Sequence, residues 1–110
     1  MLTMRKSIFL SHAAPEENDF VRWLGTKLEL AGYEVWYDLA RLKGGDYFWD
    51  KIEVAIRDDA FRFVAVLSKL AITKRGVKDE CGLAATIERS VPGFVIPIRV
   101  DDVKHGDFPI

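Results

Sequence analysis

Glu80, one of seventeen acidic residues in the 110-residue chain, stands where a carboxylate is out of place. From Val77 to Glu88 the apolar residues recur with a helical period. At about 100° per residue, Val77, Cys81, Ala84, Leu83 and Ile87 fan over one sector of that helix, with Glu80 near its middle. An acid belongs on the opposite, solvated face, so this placement breaks the binary pattern. In the first turn, where Glu80 is expected, a carboxylate is favoured by the partial positive charge of the helix N-terminus. Two readings follow. Glu80 either flanks the helix start and pairs with Lys78 or Lys74, or projects into a cleft, held ionised by the helix terminus.

The other reactive residue types combine less readily. Ser11, His12 and Asp38 have the composition of a nucleophilic triad. Neighbouring side chains on extended backbone point to opposite faces, so Ser11 and His12 cannot bond each other as nucleophile and base. His12 then serves to line or shape a pocket. His12 and His105 are the only histidines and Cys81 the only cysteine, with no HExxH or His-x-His spacing. No metal site and no internal disulfide are expected. Gly44-Gly45 follows Arg41 and Lys43 in a polar stretch that fits a plain turn or a phosphate cradle. GxGxxG and GxxxxGK[ST] loops are absent, which leaves Rossmann-type dinucleotide binding and P-loop chemistry without support.

Alternating strand and helix patterns must position these residues. Ser7-Ile-Phe-Leu-Ser11 is a short apolar run, expected as a strand buried on both faces. Phe20, Val21, Leu24, Leu28 and Ala31 mark one face of a helix, with Pro15 suited to its first turn and Gly32 to its stop. Tyr33 to Asp38 is a second strand, and Leu39 to Gly45 a loop. Asp46 can cap a second helix that carries Trp49, Ile52, Ala55 and Ile56 on one face. Phe61 to Ser68 is the strongest strand, Val77 to Glu88 the third helix and Phe94 to Val100 a fourth strand. Pro97 lacks an N–H and assigns that last strand to an edge or a bulge. The order βαβαβαβ requires crossover helices and a mainly parallel sheet, with helices on both faces. Ligands in such sheets collect at the carboxyl ends of the strands. Ser11-His12, Asp38 to Gly45, Ser68-Lys69 and Asp101-Asp102 emerge there.

Composition narrows the function classes. One domain's worth of chain buries roughly two thirds of its unfolded surface, enough for a core without staples. Sixteen basic against seventeen acidic residues leave a net charge of −1, so no global field recruits nucleic acid or an anionic membrane. No apolar stretch approaches the ~20 residues of a membrane span, and the N-terminus has no leader-like apolar region, so the expected location is the cytoplasm.

The elements and the residues on them resemble a Toll/interleukin-1 receptor (TIR) domain of prokaryotic type. Ile8-Phe-Leu-Ser-His12 resembles the family's first-strand box. Asp19-Phe-Val-x-x-Leu24, Leu28 and Gly32-Tyr-x-Val-Trp-Tyr-Asp38 resemble its first helix and second strand. Leu42-x-x-Gly45, Trp49 and Ile52-x-x-Ala55-Ile56 resemble the loop and helix that follow. Val64-x-Val-Leu-Ser68 and Phe94-Val-Ile-Pro97-Ile resemble the third and fourth strands. The resemblance implies a flavodoxin-like fold. It also implies cleavage of NAD⁺ between nicotinamide and ribose, with NAD⁺ as substrate and no further cofactor.

The family's catalytic glutamate closes a Ser-x-Trp-x-x-x-Glu box, and by register it falls on Glu80. The Trp of that box is Gly76 in this chain. Candidate substrate-binding residues are Ser11, His12, Asp38, Arg41, Lys43, Gly45, Trp49 and Ser68, with Arg41 and Lys43 either meeting a pyrophosphate or lying in a solvated loop. Phe9, Trp36, Tyr37, Tyr47 and Trp49 are candidates for stacking on a base, and equally for the core. Family domains continue past a segment like Asp107-Phe-Pro109 into a fifth strand and a last helix, so residues 1–110 are expected to be a TIR domain within a longer protein. The implied setting is prokaryotic immune or cell-death signalling. It is switched on by homo-oligomerisation or filament formation, with a C-terminal sensor domain or an effector as partner. The alternative is a non-catalytic scaffold that signals through TIR–TIR contacts made by Leu39 to Trp49. A phospho-acceptor receiver ranks last, because the first strand does not end in an acidic pair.

Overall fold

Ser7–Ser11 forms β1, and every residue in it is buried, as the continuous apolar run requires. The structure is a computed structural model that describes residues 5–36, 49–104 and 106. In chain order, α1 (Asn18–Leu30), β2 (Glu34–Trp36), α2 (Trp49–Val54), β3 (Ala60–Leu67), α3 (Arg75–Glu88) and β4 (Val95–Arg99) follow. The last turn of α2 widens into a π-type turn over Ala55–Asp59. The strands form one parallel sheet in the order β2-β1-β3-β4. This is the expected flavodoxin-like arrangement, with helices on both faces. Asp46 and the loop from Leu39 to Gly45 lie outside the described residues.

Strand alternation sorts the core into two layers. Ile8 and Leu10 of β1 join Val64 and Val66 of β3 beneath Val21 of α1, with Phe20, Leu24 and Leu28 packed alongside. Phe9 faces the other way, stacked on Phe63 at 5.5 Å and, on its far side, on Trp36 at 5.0 Å. Ile52, Ala55 and Ile56 from α2 and its π-type turn complete that layer with Val77, Cys81 and Ala84 of α3.

Three local expectations are corrected. Pro15 is not in the first turn of α1, which begins at Asn18; it belongs to a turn closed by Asn18 N–H donating to Pro15 C=O at 3.1 Å. Ala31 is exposed at the helix end rather than on the core face. The third helix starts at Arg75, two residues before Val77. Gly32 does end α1, with φ at +99°, which only glycine adopts without strain. Pro97 lies opposite Ala65 on β4, an edge of the sheet among the described residues.

The turn between α3 and β4 is tied by one carboxylate. Glu88 accepts from the Gly93 N–H at 2.7 Å and from the Val95 N–H at 2.8 Å. These backbone bonds, that from Val95 foremost, hold its pKa below the ordinary 4.5. A depressed carboxylate pKa adds stability that is present above the unfolded value and lost as pH falls through the folded one. We expect the melting temperature to drop on acidification below about pH 4.5, with a shallower slope in Glu88→Gln. Parallel pH–melting curves for the two proteins would refute this assignment.

Candidate active site

Two connections part at the centre of the sheet. The chain leaves β1 for α1 on one face and leaves β3 for α3 on the other, so a crevice opens between the carboxyl ends of these neighbouring strands. A cleft of about 1050 Å³ lies on the β1 side of this edge, lined by the end of β1 and by α3 and not by β3, at the upper end of the range for small-molecule sites. His12 and Ala14 line it from beyond β1, Trp49 from α2, and Lys74 to Glu80 from the start of α3.

Glu80 is 8% exposed in the wall of this cleft. Its Oε1 accepts the Ser11 hydroxyl at 2.7 Å. Strand parity explains the meeting. Ser11 shares the phase of Phe9 and so faces the α3 layer. Because α3 begins at Arg75, Glu80 is its sixth residue and lies beyond the first turn, where the helix terminus has its strongest effect. The expected support from that terminus is therefore replaced by a direct hydrogen bond. Lys74 pairs with Glu16 at 3.3 Å across the rim of the cleft.

His12, one residue on, faces the α1 side. Its Nε2 lies 2.8 Å from Asn18 Oδ1. That oxygen only accepts, so the contact places the ring hydrogen on Nε2. Ser11 and His12 thus take separate partners. Cys81 adjoins Glu80 and is fully buried. Burial first, and then the Glu80 charge, push its thiol up to about 12, so it remains protonated.

The remaining candidates are distributed unevenly. Trp49 lines the cleft and also packs against the core. The Ser68 hydroxyl accepts from the Ala71 N–H at 2.9 Å, 3% exposed, and forms no part of the cleft lining. Phe9 lines the cleft as well as stacking within the core, and Trp36 packs against it. Asp38, Arg41, Lys43, Gly45, Tyr37, Tyr47 and His105 lie outside the described residues. The cationic residues Lys74, Arg75 and Lys78 on the cleft wall were not among the sequence candidates, although the basic run Thr73 to Gly76 was their visible signal. Among the described residues, no helix is long and apolar enough to cross a membrane.

A family model described as the TIR domain matches residues 8–109. The chain belongs to the TIR domain family. This TIR domain is 35% identical over 91 residues to the 2′ cyclic ADP-D-ribose synthase AbTIR of Acinetobacter baumannii, covering 83% of this chain and 34% of that protein. It is equally 35% identical over 91 residues to the NAD(+) hydrolase PdTIR of Paracoccus denitrificans, covering 83% and 30%. Its fold matches the TIR domains of the activated Roq1 resistosome that directly recognizes the pathogen effector XopQ, with a TM-score of 0.70 and 25% identity. That match covers 86% of this chain and 57% of the other. The TIR domain spans about a third or less of the length of the curated relatives it matches.

Proposed function

We propose that this TIR domain cleaves the bond between nicotinamide and ribose in NAD⁺, with Glu80 as the carboxylate that meets the ribose. The observation that carries this reading is a buried carboxylate in the wall of an open cleft between the end of β1 and the start of α3. The names of the bacterial relatives support it, since one makes a cyclic ADP-ribose and another hydrolyses NAD⁺.

The chemistry asks little of the protein. As the glycosidic bond breaks, its electron pair leaves with nicotinamide, which changes from a cationic ring to a neutral molecule. No general acid is needed, in contrast to sugar hydrolysis with its two carboxylates. Positive charge develops on the ribose carbon and ring oxygen, and a preorganised carboxylate beside them stabilises it. Water then completes hydrolysis, or a hydroxyl of the same molecule completes cyclisation; either releases one proton. NAD⁺ is consumed as substrate, and the reaction requires no separate cofactor. Lys74, Arg75 and Lys78 supply cationic groups on the cleft wall for the pyrophosphate, alongside the proposed Arg41 and Lys43.

We also propose that the protein acts in the cytoplasm in prokaryotic immune or cell-death signalling, and that self-assembly switches it on. The bacterial relatives and the resistosome assembly of the structural neighbour support this. Nicotinamide release per mole of protein should then rise with protein concentration or under crowding. A rate per mole that is flat across a hundredfold concentration range would count against activation by assembly. No release under any of these conditions would remove the enzymatic reading.

A further inference from the structure

We propose that His12 accepts a hydrogen bond from the bound substrate at Nδ1, and that Asn18 is the positioning residue that holds the ring for it. The identity of the substrate rests on the function proposed above, whereas the pairing of His12 with Asn18 stands on geometry alone.

The pair joins two elements beside the cleft. His12 follows β1 directly, and Asn18 is the first residue of α1. The connection between them is braced in both directions. The Glu17 N–H donates to the Ala13 C=O at 2.9 Å, and the Ala13 N–H donates to Glu17 Oε1 at 3.1 Å. Asn18 is thereby held beside the ring, with its Oδ1 2.8 Å from Nε2. An amide oxygen only accepts, so the single hydrogen of the neutral imidazole stands on Nε2 and Nδ1 is left as an acceptor.

Among the described residues Nδ1 has no partner. It is not sealed in, because the sealed side-chain atom without a partner among those residues is Ser7 Oγ, at the opposite end of β1. His12 is 7% exposed and lines the cleft, so the small open part of its ring faces the cleft. A ring this buried, with one nitrogen tied and the other an open acceptor, calls for a donor from a bound molecule. Lys74, Arg75 and Lys78 bring donors to the cleft wall, which suit phosphate oxygens. Nδ1 suits an O–H or an N–H. The nicotinamide riboside half of the substrate carries both, as ribose hydroxyls and as the carboxamide. His12 adjoins Ser11, whose hydroxyl donates to Glu80, so it stands on the side of the cleft where the carboxylate meets that half.

The chain has two histidines, His12 and His105, so their ring nitrogens are resolved in a ¹⁵N spectrum and assigned with His12→Gln. In the neutral wild-type ring of His12 we expect a protonated Nε2, its hydrogen slow to exchange, and a bare Nδ1. The slow hydrogen should be lost in Asn18→Ala and kept in Asn18→Asp, which retains an acceptor oxygen. Nicotinamide and ADP-ribose are then added separately, each to saturation. A Nδ1 signal moved toward the hydrogen-bonded position by nicotinamide assigns the donor to the carboxamide, and one moved by ADP-ribose assigns it to the ribose. In nicotinamide release, Asn18→Ala and His12→Phe should each raise KM about three- to tenfold with kcat within about twofold, as loss of a binding contact does. Asn18→Asp should restore KM. Melting curves establish that each variant is folded.

A hydrogen found on Nδ1 overturns the acceptor, and an Nε2 hydrogen unchanged in Asn18→Ala overturns the role of Asn18. A Nδ1 signal that neither probe moves overturns the substrate contact, as does an unchanged KM in folded His12→Phe; with nicotinamide still released, the functional reading survives either result. If the wild-type protein releases no nicotinamide, that reading falls instead, while the ring spectra and the two probes still decide the contact.

Discussion

Glu80→Gln lowers the rate of nicotinamide release about a thousandfold and leaves the protein folded. The size follows from removing a preorganised, largely buried charge, since one such electrostatic group contributes about 10²–10³ in rate. Glutamine keeps the shape and an oxygen that accepts from Ser11, so the 2.7 Å bond to that hydroxyl survives in a neutral form. What is lost is the negative charge facing the developing cation. Stability should hold or rise, because a carboxylate that is 8% exposed carries a desolvation cost that an amide does not. The measurement is single-turnover nicotinamide release beside a thermal melt. A variant that retains more than about a tenth of the wild-type rate removes Glu80 from the chemistry. A variant that loses activity and melts early shows instead that the charge is structural.

Phe63→Ala unfolds the protein more readily than any change at its surface. Phe63 is fully buried at the centre of β3, stacked on Phe9 at 5.5 Å and on Phe94 at 6.5 Å. It pairs with Phe9 across the β1–β3 junction and with Val95 of β4, so truncation opens a cavity where three strands meet. Such a change costs about 3–5 kcal/mol, a large share of the roughly 5–15 kcal/mol that a domain possesses. Urea titration should show the loss directly. Ile96→Ala is the contrast, since Ile96 is 43% exposed on the edge strand and surface changes usually stay within about 0.5 kcal/mol. Equal midpoints for the two variants would place the core elsewhere. The same cavity lies beneath β1, whose end carries Ser11, so activity should fall with stability at Phe63 but not at Ile96.

The alternating pattern, the parallel sheet and, among the described residues, the edge position of the Pro97 strand were legible in the sequence. Period 2, period 3.6 and a missing N–H are local properties, written in neighbouring residues. Glu80 was legible for the same reason, because a charge inside an apolar helical sector is a local contradiction. The helix start was less so, since caps and first turns are set by contacts as much as by residue type, and α3 begins at Arg75 without a side-chain cap.

Pairing across the fold was not legible at all. Ser11 and Glu80 are 69 positions apart and are brought together by strand order and by the phase of β1. Ser68 shows the converse. Its place after β3 made it a candidate for the cleft, yet its hydroxyl is engaged by the Ala71 N–H.

The types of the reactive groups and the elements that carry them are therefore properties of the chain read along its length. Which groups share a hydrogen bond is a property of the packed molecule, because it depends on the register between β1 and β3 and on which face α3 covers. Periodicity places a side chain on a face. Only the closure of the sheet and its helices determines what that face meets.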